Sequence, residues 1–371
     1  MEQDIKKLGF GLMRLPKKLA SIDVEQTKAM VDLFLEAGFT YFDTAFLYPG
    51  SEAATKEALV DRYPRESYTL ATKMNAAIPG MTEKMVKNEF ETSLKRTDAG
   101  YFDYYLLHAL QKGNVKRYDK LDIWGFVKEK KAQGLVKHYG FSFHDSPDLL
   151  DQLLTAHPDV DFVQLQINYA DWEDKKVAAR RNYEVARRHG KQIVVMEPVK
   201  GGKLAAPPKE VRKLMDAFAP GASYASWAIR FAASLPGVLT VLSGMSDLAQ
   251  MQDNLSYMRE FRPLGKEELE IIRLAQSILE KSAAVPCTAC GYCLEGCPAG
   301  IPIPRIMEAL NMHLVSGQTE KGRAAYLACT RDAGKASNCV GCKRCERICP
   351  QQLGITGYLK QADDLYGIKE T

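Results

Sequence analysis

The stretch YFDTAFLYPGSE, residues 41–52, moves from a short aromatic run into helix-starting chemistry. YFDTA is too short for a helix and suits a pleated, buried surface, so it reads as a strand with Asp43 at its end. The following FLYPGSE turns through Pro49 and Gly50, and Ser51 is placed to cap the next helix.

Seven further runs repeat this arrangement: LGFGLM (8–13), YTLATK (68–73), FDYYLLH (102–108), KHYGFSF (137–143), FVQLQIN (162–168), QIVVMEP (192–198) and VLTVLSG (238–244). Their near-continuous apolar character is that of strands covered on both faces. Amphipathic stretches separate them. In SIDVEQTKAMVDLFLEAG (21–38), Asp23 caps a helix, Gly38 ends it, and Val24, Met30, Val31, Phe34 and Leu35 form the buried face. Eight strands with crossover helices predict an α/β fold, a (β/α)8 TIM barrel. A doubly wound sheet with extra strands is the alternative. No GxGxxG follows any run, since GFGLMRLP lacks the third glycine. RPLGKEELEIIRLAQSILEKSAAVP (262–286) reads as a trailing helix with Leu269, Ile272 and Leu279 on its apolar side. Residues 1–282 are expected to form the barrel with this helix, and 283–371 a small, mainly α-helical, cysteine-bearing domain.

The length of 371 residues exceeds the usual single domain, and the net charge of +4 is spread thinly. RRNYEVARRHGK (180–191) reads as the wet face of an amphipathic helix, so no nucleic-acid partner is expected. The N-terminal MEQDIKKLGFG has no apolar core, and no apolar run approaches the ~20 residues that span a bilayer. No membrane partner and a cytoplasmic location are expected. In a reducing compartment clustered cysteines are better metal ligands than disulfides.

Catalytic groups of a barrel lie at the C-terminal ends of its strands. Asp43, Tyr48 in the loop beyond it, Lys73 of LATK and His108 of YYLLH stand at or just past three consecutive ends. Each alone has an ordinary explanation: a helix cap, a loop aromatic, a solvated charge, a core histidine. Together, FDTAFLYPGSE, ATK and YYLLH resemble segments of the aldo-keto reductase family, and the likeness runs in order over about 8–255. The resemblance implies an NAD(P)H-dependent oxidoreductase that moves hydride between nicotinamide and a small aldehyde, ketone or alcohol. Tyr48 would be the general acid, Lys73 its modulator, Asp43 the partner of Lys73, and His108 the group that orients the carbonyl oxygen. The chemistry agrees: a phenol with a pKa of about 10 donates reluctantly, and a nearby ammonium favours phenolate.

The same resemblance implies nicotinamide contacts from Ser142 and Gln164. Phe143 stands where an asparagine is usual, and Met196 where an aromatic often stacks. Gly201 and Gly202 of KGGKL suit a loop near the pyrophosphate, or a simple turn. SGMSDLAQMQDN (243–254) resembles the adenosine segment, through Gly244, Ser246, Gln250, Asp253 and Asn254. Gly244 and Gln250 replace the basic pair often used for a 2′-phosphate, so NADP(H) is favoured while NAD(H) stays open.

The chain has no cysteine before Cys287, and then CTACGYCLEGCP (287–298) and CVGCKRCERICP (339–350) each read C-x2-C-x2-C-x3-C-P. This is the pattern of two-cluster ferredoxins, in which each fourth cysteine serves the other 4Fe-4S cluster. By that likeness Cys287, Cys290, Cys293 and Cys349 hold one cluster, and Cys339, Cys342, Cys345 and Cys297 the other. Zinc, bound by two separated C-x2-4-C units, is the rival. Cys329 lies outside both runs and has no assigned function. The link between the runs spaces Ile306, Leu310 and Leu314 along a helix face, and the whole resembles α-helical ferredoxin domains. Hydride chemistry needs no iron. The clusters would be structural, regulatory or wired to a redox protein partner. Alternatively the chain is an electron-transfer or sensing module whose barrel binds nucleotide without significant carbonyl turnover.

Overall fold

The computed structural model describes residues 5–19, 21–78, 80–281 and 284–367. Eight parallel strands close into one barrel: β1 (Leu8–Gly11), β2 (Tyr41–Asp43), β3 (Thr69–Met74), β4 (Phe102–Leu110), β5 (Val136–Phe143), β6 (Phe162–Gln166), β7 (Gln192–Met196) and β8 (Val238–Ser243). Strands adjacent in sequence are adjacent in space, and β1 joins the two ends by pairing Phe10 with Phe42 and with Ser243. That closure makes the fold a TIM barrel, since a doubly wound sheet stays open. Every expected run contains a strand.

The interior is packed. Tyr41, Tyr104, Phe162 and Leu242 come from β2, β4, β6 and β8 and belong to one buried cluster. Supply from alternate strands is how layers fill such a barrel. The Tyr104 ring centre lies 5.2 Å from that of Tyr41 and 5.0 Å from that of Phe162. At Gly140 of β5 a Cβ would come within 2.2 Å of the Phe162 carbonyl oxygen, so only glycine lets β6 approach this closely.

The first helix, α1 (Val24–Glu36), starts as expected: the Asp23 carboxylate accepts the Gln26 N–H. Met30, Val31 and Phe34 are buried, while Val24 and Leu35 are half-buried. The next helix corrects the expectation for Ser51. Gly50, at φ 74°, is the cap of α2 (Ser51–Thr55), and Ser51 is its first helical residue. Its hydroxyl donates to the Leu12 carbonyl at 3.0 Å and lies 2.7 Å from the Thr44 hydroxyl, tying the loop after β2 to β1. The tertiary partners win the side chain from the helix end.

Helix α3 (Glu83–Thr97) buries Glu89, whose Oε2 accepts the Asn75 N–H at 2.7 Å while Oε1 has no partner. Burial pushes this carboxyl from 4.5 up to about 7, against the Asn75 hydrogen bond. A folded-state value above the unfolded one means that the neutral form stabilises the fold below about pH 4.5, and that this is lost as pH rises through about 7. The loss amounts to about 3 kcal/mol. Glu89→Gln is therefore expected to gain thermal stability over the native protein between pH 5 and pH 8. A difference in melting temperature that stays flat with pH would contradict this.

The chain divides into two compact units, Met1–Val199 with Met215–Ile272, and Lys200–Leu214 with Arg273–Thr371. The last division, between Ile272 and Arg273, falls inside the helix Lys266–Glu280. The boundary expected between Ser282 and Ala283 lies outside the described residues. In the second unit, helices Ile303–Ser316, Thr319–Cys329 and Ile355–Tyr366 surround Ile306, Leu310, Tyr326, Leu359 and Tyr366. Tyr366 donates to the Ala309 carbonyl at 2.9 Å, and the Tyr326 hydroxyl accepts the Ala336 N–H at 3.1 Å. Cys329 ends the middle of these helices. Among the described residues no helix is long and apolar enough to cross a membrane.

Candidate active site and candidate metal centre

Asp43 is the last residue of β2 and Lys73 the next to last of β3, and both are buried. The Lys73 ammonium is ion-paired and hydrogen-bonded to Asp43 Oδ1, and donates to the Thr44 carbonyl at 2.7 Å. Gln164 donates to the other Asp43 oxygen at 3.1 Å. Burial pushes the Asp43 carboxyl up, and Lys73 and Gln164 pull it back. Burial pushes Lys73 down, and Asp43 opposes that, with Glu52 adding to the opposition. Each charge makes the other tolerable, because an unpaired buried ion is costly.

The Lys73 ammonium lies 5.1 Å from the centre of the Tyr48 ring, and the His108 ring meets Tyr48 edge-on at 5.8 Å. The four expected residues thus come together. Burial first, then Lys73 and His144, drive the His108 imidazole well below its ordinary value, which makes it neutral. Tyr118 anchors this part of β4: its hydroxyl donates to the His108 carbonyl at 2.6 Å and accepts the Ala76 N–H at 3.2 Å. Beyond His108 the strand kinks, with Ala109 at φ 55° and its register shifted against β5. The Ser142 hydroxyl accepts the Ala109 N–H at 2.7 Å and so fixes the kink.

Ser142 and Gln164 are register neighbours on β5 and β6, and Met196 ends β7. After β8, Asp247 caps the helix Leu248–Met258, accepting the Gln250 N–H at 2.8 Å and its side-chain amide at 2.9 Å. Gln250 Oε1 accepts the Ser246 N–H at 2.9 Å. Asp253 accepts the Ser223 hydroxyl at 2.8 Å, while Asn254 donates to Ser243 at 2.7 Å and accepts from Tyr257 at 2.6 Å. These two therefore also brace the helix. Gly244 lies under the Arg14 side chain, 3.6 Å from where a Cβ would stand. Gly201 and Gly202, at φ 64° and 92°, belong to the second unit. A Cβ on Gly201 would approach the Thr288 carbonyl oxygen to 2.5 Å, so its glycine serves the cysteine-bearing segment.

Sequence reasoning missed several polar residues at the same ends of the strands. Glu52 is buried and accepts the Thr72 hydroxyl at 2.9 Å and Arg96 at 3.3 Å. Arg14 and Glu197 pair at 4.0 Å, with Glu197 at φ 57°. Gln166 and Asn168 both donate to Asp171, at 2.9 and 2.8 Å. Glu52 had a signal, an acid four residues after Tyr48 in the same loop-to-helix stretch; no spacing rule links positions 14 and 197.

The two cysteine runs share a backbone. Ala289 and Gly341, just before each second cysteine, are left-handed at φ 53° and 67°, and so are Gly291 and Lys343 just after it, at 85° and 56°. Four-residue helices, Tyr292–Glu295 and Arg344–Arg347, then carry Cys293 and Cys345. Left-handed non-glycine residues store strain of about 1–3 kcal/mol, which persists where a site demands it. The thiols fall into two groups. Burial first, then Cys290, Cys287 and Cys349, push the Cys293 thiol up to about 12. Cys297, Cys339, Cys342 and Cys345 line one cavity with Pro298, Ile303 and Leu359. Each group takes three cysteines from one run and the last from the other. Cations bound to such thiols would reverse the penalty of ionising them. Among the described residues no three Cys, His, Asp or Glu side chains are close enough to grip a single ion. A four-iron cube is wider and offers one corner per thiolate, so the donor sets suit it.

Residues 7–276 match the model of the Aldo/keto reductase family, and 286–353 match that of a 4Fe-4S dicluster domain. An uncharacterised oxidoreductase of Bacillus subtilis strain 168, YqkF, is 25% identical over 308 residues, covering 73% of this chain and 92% of that protein. A probable aldo-keto reductase of Glycine max is 31% identical over 181 residues, 46% of this chain and 49% of its own length. Among solved structures, an aldo-keto reductase from Bacillus halodurans in its holo form is similar with a TM-score of 0.57 at 24% identity, over 73% of this chain and 92% of that one. One from Klebsiella pneumoniae in complex with NADP and acetate gives 0.58 at 20% identity with the same coverage, and such likenesses establish the fold. With its family model running from the first barrel strand past the last, the chain is an oxidoreductase that belongs to the aldo/keto reductase family and carries a 4Fe-4S dicluster domain beyond the barrel.

Proposed function

We propose that the barrel transfers hydride between NAD(P)H and the carbonyl carbon of a small aldehyde or ketone, or in reverse from an alcohol. The observation that carries this is the buried Lys73–Asp43 pair set 5.1 Å from the Tyr48 ring, with neutral His108 at its edge. When bound, the nicotinamide supplies the hydride. Tyr48 gives its proton to the carbonyl oxygen, and His108 donates a hydrogen bond that orients that oxygen. Lys73 favours release of the Tyr48 proton, and Asp43 with the Thr44 carbonyl fixes Lys73.

Ser142, Gln164 and Met196 hold the nicotinamide, and Gly244, Ser246, Gln250, Asp253 and Asn254 take the adenosine end. NADP(H), the nucleotide of the Klebsiella neighbour, is the proposed cofactor. The Asp247 carboxylate at the helix start and the lack of Lys or Arg at 244 and 250 keep NAD(H) as the second candidate. Cys287, Cys290, Cys293 and Cys349 would hold one 4Fe-4S cluster as thiolates, and Cys339, Cys342, Cys345 and Cys297 a second, supplying one-electron storage. The functional division is 1–282 and 283–371, in the reducing cytoplasm, where thiols stay available to metal.

Anaerobically prepared protein is expected to oxidise NADPH or NADH with at least one of a panel of small aldehydes and ketones. No turnover across the panel would favour an electron-transfer module that only binds nucleotide.

A further inference from the structure

The two cysteine runs meet their surroundings differently. Beside the first, the Asn311 side chain holds both backbone groups of Val285, at 2.7 and 3.0 Å, and Lys203 donates to the same carbonyl at 2.8 Å. Thr288 is buried, with Gly201 packed close upon it. The second run is open. Cys342 is exposed, and so are Val340 (71%) and Ile348 (42%). The short helices of the two runs pack together, with Gly296 beside Arg344, which brings the exposed Leu294 to the same patch.

Charge adds direction. Lys335, Lys343, Arg344 and Arg347 are all exposed, and Glu346 is the only acid in 335–347. Glu346 turns to Thr356, accepting its N–H at 2.8 Å and its hydroxyl at 2.6 Å. Within 335–347 four exposed cations stand against one engaged carboxylate, and the neighbouring short helix adds one exposed acid, Glu295, beside Leu294.

We infer that this face docks a small acidic one-electron carrier protein at the centre formed by Cys339, Cys342, Cys345 and Cys297, an inference that rests on the cluster reading above. Exposed apolar side chains in the same run as exposed Lys and Arg fit such a partner: the apolar groups give close, dry approach and the excess of positive charge steers encounter. One electron passes between carrier and cluster, and no bond or proton moves. The first run, tied to Asn311 and Lys203 through Val285, would hold the other cluster.

The test is stopped-flow bleaching of cluster absorbance when anaerobic holoprotein meets reduced flavodoxin, an acidic carrier. The rate is expected to fall about 10-fold or more as salt rises from about 50 to about 500 mM. Lys335→Glu with Arg347→Glu is expected to slow it about 10-fold at low salt, while dithionite still bleaches the variant. A rate indifferent to salt would overturn the docking surface. So would charge reversal without effect at undiminished iron and sulfide, or no bleaching by the carrier where dithionite succeeds. Native protein without iron and sulfide would overturn the cluster reading beneath it.

Discussion

Tyr48→Phe is expected to lower carbonyl turnover by about 10²–10⁴-fold while leaving nucleotide affinity unchanged. The substitution deletes one oxygen and keeps the ring that faces Lys73 and His108. Packing and the buried Lys73–Asp43 pair should survive, so the loss would report proton transfer alone. The neighbours offer no easy substitute: His108 is held neutral by burial, and the Lys73 ammonium is engaged by Asp43 and the Thr44 carbonyl. Turnover within a factor of a few of the native rate would remove Tyr48 as the acid.

The second large effect concerns the cysteines. The native chain is expected to hold about eight irons and eight sulfides. If Cys349 serves the first run, Cys287→Ser with Cys349→Ser damages one cluster and leaves about four irons. Cys345→Ser with Cys349→Ser then damages both and leaves almost none. Were each run to close its own cluster, the two double variants would exchange outcomes. The influence of Cys349 on Cys293, and the cavity shared by Cys297, Cys339, Cys342 and Cys345, favour the crossed arrangement. Two zinc ions in place of iron would end the cluster account.

The barrel was readable because strands covered on both faces leave unbroken apolar runs, and each of the eight runs marks one. The tetrad was readable because barrel chemistry gathers at strand ends, where Asp43 and Lys73 interrupt apolar sequence. Features decided by distant partners were not. Ser51 has the residue type of a cap, yet the Leu12 carbonyl and the Thr44 hydroxyl claim it. Gly201 reads as a glycine of a phosphate loop or of a simple turn, and nothing in the sequence signals that a side chain there would meet Thr288, far along the chain. In the cysteine runs Gly291 announces a left-handed residue, whereas Ala289 and Lys343 adopt that conformation without any sequence sign. The Arg14–Glu197 pair joins opposite ends of the barrel's sequence and becomes visible only when β1, β7 and β8 meet.

The central claim, direct hydride transfer on the barrel, is tested most directly by the fate of an isotope. NADPH or NADH carrying deuterium at the transferred position of the nicotinamide is turned over anaerobically with the best carbonyl of the panel, and the alcohol is analysed by mass spectrometry. Deuterium on the former carbonyl carbon, one atom per molecule, is the predicted result. Alcohol bearing only solvent hydrogen at that carbon would mean that the electrons travelled singly, through the clusters, and would contradict the account.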